Sequence, residues 1–221
     1  MRRTVVAALC SAALFSGCGA NEEQTFPPGI GKPFGPQYSS EAPGSGGGGG
    51  TSGPPRPVES TQAPAISMAE CGSGANALYF TGNGFIFSGT QLVTDAEFIA
   101  VHEGPTLAGG DLVRVSVEPA DEEQGSNWSL SFSTNKTSAP LAPGVYLDAE
   151  RHPFEPEGEP GLSVGGDGRG CNTLIGSFQI HTLELGAESG VVDRFEATFE
   201  QYCEKVTTSR LRGCVRFTRA Q

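Results

Sequence analysis

The chain has 221 residues, a formal net charge of -11, and 32 glycines against 37% hydrophobic residues. That length accommodates one ordinary domain plus extra segments. An acidic surface repels nucleic acid and anionic headgroups over a Debye length of about 8 Å at physiological salt, so nucleic-acid binding is excluded as a role.

Residues 1–17 open with Arg2-Arg3, continue through an apolar run from Val5 to Phe15, and end on Ser16-Gly17. This is the order of a secretory signal peptide, and its apolar run is too short to persist as a spanning helix. The end, Leu14-Phe15-Ser16-Gly17-Cys18, resembles the lipobox of bacterial lipoproteins, with Phe15 where leucine is commonest. The resemblance implies diacylglycerol on Cys18 and cleavage before it; a plain signal-peptidase cut after Ala20 is the alternative. Acyl chains anchor at about 0.8 kcal/mol per buried methylene, so lipid on Cys18 would tie the chain to a membrane of the cell envelope. Gly19, where an Asp commonly signals inner-membrane retention, favours the outer membrane in a Gram-negative cell.

From Gly19 to about Ala65 the chain is low in complexity, with Pro27-Pro28, Gly46 to Gly50 and Pro54-Pro55 and almost no apolar clusters. Such a segment buries too little surface to offset its ordering entropy and reads as a disordered tether. We therefore assign 18–70 to the lipidated cysteine and tether, and 71–221 to a folded domain.

Within that domain, weaker strand patterns cover 78–81, 84–88 and 98–102. Clear alternation follows at Leu112 to Val117 and at Trp128 to Ser133. Further strands are predicted at 145–148, 176–185, 195–203 and 211–217. The third face-forming set is Phe195, Ala197, Phe199 and Cys203, and the strands read as antiparallel and wet on one face. Parity switches after Ile180, which predicts a β-bulge near His181 and Thr182. The expected class is all-β, an antiparallel sandwich or barrel of about 8–10 strands, with a slight preference for the sandwich.

Cys71, Cys171, Cys203 and Cys214 remain once Cys18 is lipidated, which in an exported domain means two disulfides with three connectivities open. A zinc site is the rival, but no Cys-x-x-Cys pair exists.

Four runs carry a second likeness: Pro143-Gly144-Val145-Tyr146, Arg151-His152-Pro153-Phe154, Gly170-Cys171-Asn172 and Phe199-Glu200-Gln201-Tyr202-Cys203. Together they resemble an uncharacterised β-rich domain of exported bacterial proteins, over most of 84–217. The family's two cysteines fall on Cys171 and Cys203, which implies that bridge; Cys71 and Cys214, additions in this chain, are expected to form the other. Arg151, Arg169, Asn172, Glu200 and Gln201 lie in or near these runs and are expected, in part, to meet in a polar cluster beside Cys171–Cys203.

No His-Glu-x-x-His or Walker motif occurs, and no cofactor is implied. His102, His152 and His181 are expected as separate surface or loop histidines. Glu155, Glu157 and Glu159 are expected to form a solvated loop, and Gly165 to Gly170 a turn. The functional expectation is a lipid-anchored, non-catalytic envelope module that binds a protein or polysaccharide. A hydrolase assembled only in the fold, and an envelope inhibitor or assembly factor, are the alternatives.

Overall fold

The computed structural model describes residues 62–107, 109–120 and 126–220; the signal peptide, Cys18, most of the tether and the acidic Asp121-Glu122-Glu123 lie outside the described residues. The strands are β1 (Ala77–Asn83), β2 (Ser88–Val93), β3 (Ala96–Glu103), β4 (Leu112–Pro119), β5 (Trp128–Ser133), β6 (Gly144–Arg151), β7 (Gly161–Gly166), β8 (Leu174–Leu185), β9 (Val192–Cys203) and β10 (Arg210–Thr218). They form one sheet in the order β2-β1-β10-β9-β8-β6-β7-β5-β4-β3, antiparallel except for the short β6–β7 pairing.

The two edge strands, β2 and β3, are consecutive in the chain and are joined by Thr94 and Asp95 alone. The sheet must therefore curl until its edges approach at that corner. A Val101–Val191 bridge and a hydrogen bond from the His102 amide to the Gly190 carbonyl bring β3 against the far side as well. The product is a nearly closed shell, intermediate between barrel and sandwich.

Alternation fills the shell. Val113, Val115 and Val117 of β4, Leu130 and Phe132 of β5, and Phe195, Ala197 and Phe199 of β9 all point inward and are buried. Phe132 meets Phe178 and Phe195 at centroid separations of 5.4 and 5.3 Å, and Trp128 lies 4.1 Å from Phe80. Pairing of β8 with β9 slips between Ile180 and Thr182, so the bulge predicted from parity is present at His181.

Two strands escaped the pattern. Residues 84–87 form a bend, and the strand expected over 84–88 is displaced to β2, an exposed edge strand with little apolar content. The Gly161 to Gly166 run holds only Leu162 and Val164 as apolar residues, yet it is the strand that β5 needs as a neighbour.

The outward face of β9 is the larger departure. Glu196, Thr198 and Glu200 alternate with the core residues, as a solvent face would, but all three are buried. Residues 62–74 lie across them. Ser177 and Glu200 bond to this segment at Gln62 and Ala65, a disulfide joins Cys71 to Cys214 of β10, and Arg216 donates to the Gly72 carbonyl. The folded unit thus begins by Gln62 rather than at Cys71. Composition hid this, because the groups that capture the segment stand more than a hundred residues away in sequence.

The second disulfide, Cys171–Cys203, joins the β7–β8 connection to the end of β9, with Cα atoms 4.9 Å apart.

Candidate functional site

β5 ends on Ser133, and the next residue is Thr134. Ser133 Oγ donates to Glu155 Oε1 at 3.3 Å, while Thr134 Oγ1 lies 3.3 Å from Asp111 Oδ1 and 3.1 Å from the Asp111 amide that donates to it. Each of these carboxylates also holds a histidine. His152 Nδ1 stands 3.0 Å from Glu155 Oε1, and His102 Nε2 stands 2.8 Å from Asp111 Oδ2. The Leu141 amide completes the second network by donating to Asp111 Oδ1 at 2.5 Å. Glu155 and Asp111 are only 4% and 5% exposed, so buried charge is matched by donors, as it must be to persist.

These two networks tie three connections together. The β3–β4 connection supplies Asp111, the β5–β6 connection supplies Thr134 and Leu141, and the β6–β7 connection supplies His152 and Glu155. Further bonds run along the seam, from Lys136 Nζ to Glu157 at 3.1 Å and from the Gly158 amide to the Lys136 carbonyl at 2.7 Å. Burial pushes the Glu155 carboxyl up, but the bonds from His152, from its own amide and from Ser133, with the charge of His152, outweigh it and hold the group below the ordinary 4.5.

Between these connections lies a cleft of about 500 Å³, lined by Thr106, Leu107, Asn135, Lys136, His152 and Glu155 among others. Glu155 Oε2 and Asn135 Oδ1 are buried and make no hydrogen bond among the described residues. Leu107, on the cleft wall, is fully exposed. Phe154, between two cleft residues, is 70% exposed and carries the Arg151 guanidinium 4.8 Å above its ring.

A hydrolytic nucleophile requires its hydroxyl on the imidazole, with the carboxylate behind it. Here Ser133 and Thr134 sit on the carboxylates, so both networks orient loops rather than activate a hydroxyl. His181 Nε2 does lie 3.2 Å from Thr198 Oγ1, but Thr198 is 1% exposed. No group of three or more His, Cys, Asp or Glu side chains fit to hold a metal occurs among the described residues.

The expected polar cluster is brought together only in part. Arg151 Nη1 donates to the Asn172 carbonyl at 2.9 Å, and the Asn172 amide donates to Glu204 Oε1 at 3.2 Å, beside the Cys171–Cys203 bridge. Gln201 reaches the same bridge from the interior, 3.7 Å from Cys171 Sγ. Glu200, its chain neighbour, points to the opposite face of β9, where it bonds to Ala65. Arg169 stands over the Phe85 ring at 5.9 Å. Strand parity separates what sequence adjacency had joined.

The acidic loop also differs from expectation, since Glu155 turns inward to His152 and Glu157 pairs with Lys136. The two histidine networks were missed because their members are spread over 102–155. The one local signal was His152-x-x-Glu155, with Pro153 inside it and Pro156 after it. Compared with models of known protein families, with curated proteins and with solved structures, the chain matches none.

Proposed function

We propose that this chain is a cell-envelope lipoprotein, anchored through lipid on Cys18, whose β module holds a protein or polysaccharide partner non-catalytically at the cleft between the β3–β4, β5–β6 and β6–β7 connections. One observation carries the reading: both histidine–carboxylate pairs take their hydroxyls on the carboxylate, which fixes the loops and leaves neither Ser133 nor Thr134 on an imidazole. Loops fixed in advance lose little entropy on binding. Leu107 and Phe154 supply exposed apolar anchors, and the accessible Lys136 and Glu157 side chains line the same cleft, a mixture suited to a partner with an apolar segment flanked by polar groups. The resemblance to lipoproteins and to exported β-rich domains supports the location.

The test uses full-length chain carrying Cys18→Ser, so that retention reports the module and not the lipid. Saturable retention on isolated envelopes or on purified cell-wall glycan is the expected result; release of all the protein in the first wash from both supports would count against the proposal.

A further inference from the structure

Ser177, Glu200 and Arg212 stand in register across β8, β9 and β10. All three bond to one short segment of the same chain, and only to its backbone. Ser177 Oγ donates to the Gln62 carbonyl, the Ala65 amide donates to Glu200 Oε2 at 3.2 Å, and Arg212 Nη1 donates to the Ala65 carbonyl at 3.2 Å. Between these points Pro64 is buried, whereas Gln62, Ala63 and Ala65 are exposed. The face therefore reads three backbone groups and one proline ring. Proline's fixed φ, and the extended bias it imposes on the residue before it, hold those carbonyls at a set spacing.

The receiving side is organised independently of the segment. Tyr202 Oη donates to Glu200 Oε1 at 2.5 Å and Arg210 Nη1 lies 3.8 Å from the same oxygen. Burial, reinforced by Glu200, raises the Tyr202 phenol above its ordinary range and keeps it a donor. The resident segment leaves about 300 Å³ of space against Ser177, Glu200, Tyr202 and Arg210. A bulkier residue would find room there.

We propose that this outer face of β8–β10 is a binding site for a proline-containing peptide of a partner protein, read through its backbone, and that Gln62–Ala65 is its resident and displaceable occupant. Upstream of the 3-10 turn Met68–Cys71, whose Met68 packs on Ala77 and Cys214, the segment is held by hydrogen bonds and the Pro64 ring, and the Cys71–Cys214 bridge stops its release from spreading into the strands. On the anchored reading above, displacement would free residues 62–67 and add about 20 Å to the reach of the tether.

A segment tethered by a few residues has an effective concentration in the millimolar range, so one that stays docked must bind its face with a Kd of about 1 mM or tighter. The probe is a synthetic peptide, Thr-Gln-Ala-Pro-Ala-Ile, added at up to about 5 mM to full-length chain and followed by NMR. The two receiving variants replace residues 62–65 by Gly-Ser-Gly-Ser, or carry Pro64→Gly. Saturable binding to either variant, at least about tenfold weaker to the native chain and abolished by adding Glu200→Ala, is the expected result. No binding to variants that keep their β-sheet signature and both disulfides, or binding that survives Glu200→Ala, overturns the proposal.

Discussion

Gln201 reaches across the interior from β9 and pairs its amide with the backbone of Val164 on β7 in both directions. Its Nε2 donates to the Val164 carbonyl at 2.7 Å, and its Oε1 accepts from the Val164 amide at 2.9 Å. The side chain is fully buried and does for β7 what a neighbouring strand would do. Gln201→Leu keeps the volume but orphans both backbone groups, which should cost about 2–5 kcal/mol. Urea unfolding should show a lowered midpoint with an unchanged slope.

Acidification should act through Glu155. Its folded pKa lies below the ordinary 4.5, so the unfolded chain takes up the proton first as pH falls. The stability it confers is complete above about 4.5 and is lost as pH drops through the depressed value. Glu196 is also held low, by Arg194, Thr182 and Arg216 against the opposing effect of burial, and works in the same direction. Glu155→Gln should be less stable than the native chain at pH 7 and should lose less on going to pH 3. Urea midpoints measured at pH 7, 5, 4 and 3 give the comparison.

The two disulfides close loops of very different length, with sequence separations of 143 for Cys71–Cys214 and 32 for Cys171–Cys203. Loop-closure entropy gives about 5 and about 4 kcal/mol respectively. Cys71→Ser with Cys214→Ser should therefore destabilise somewhat more than the other double variant, and hydrogen exchange should show residues 62–71 losing protection first.

Gly166 lies beneath the Trp128 ring, where an added Cβ would come within 2.8 Å of ring carbons. Gly166→Val overpacks this contact and should cost about 1–3 kcal/mol. Trp128 is the chain's only tryptophan, so its emission reads the disturbance directly.

How much of this the sequence disclosed depended on range. Alternation within one strand was legible, because Val113, Val115 and Val117 or Phe195, Ala197 and Phe199 report their shared face locally. The His181 bulge was legible for the same reason. β7 was not, since a glycine-rich strand owes its place to β5 and to Gln201 rather than to its own side chains. The site was the least legible part. Ser133, Thr134, Asp111, His102, His152 and Glu155 each have an ordinary loop or strand-end context, and only the fold pairs them. Glu200 and Gln201 illustrate the opposite error, where neighbours in sequence were assigned to one cluster and the strand sends them to opposite faces.

The measurement that bears most directly on the binding role compares retention of two full-length Cys18→Ser chains on isolated envelopes, one otherwise native and one also carrying Leu107→Ser and Phe154→Ser. Both substitutions are at exposed positions and should leave folding intact. The account predicts saturable retention of the first and about tenfold or greater weakening in the second, as for loss of two interface anchors. Equal retention of the two chains would contradict it.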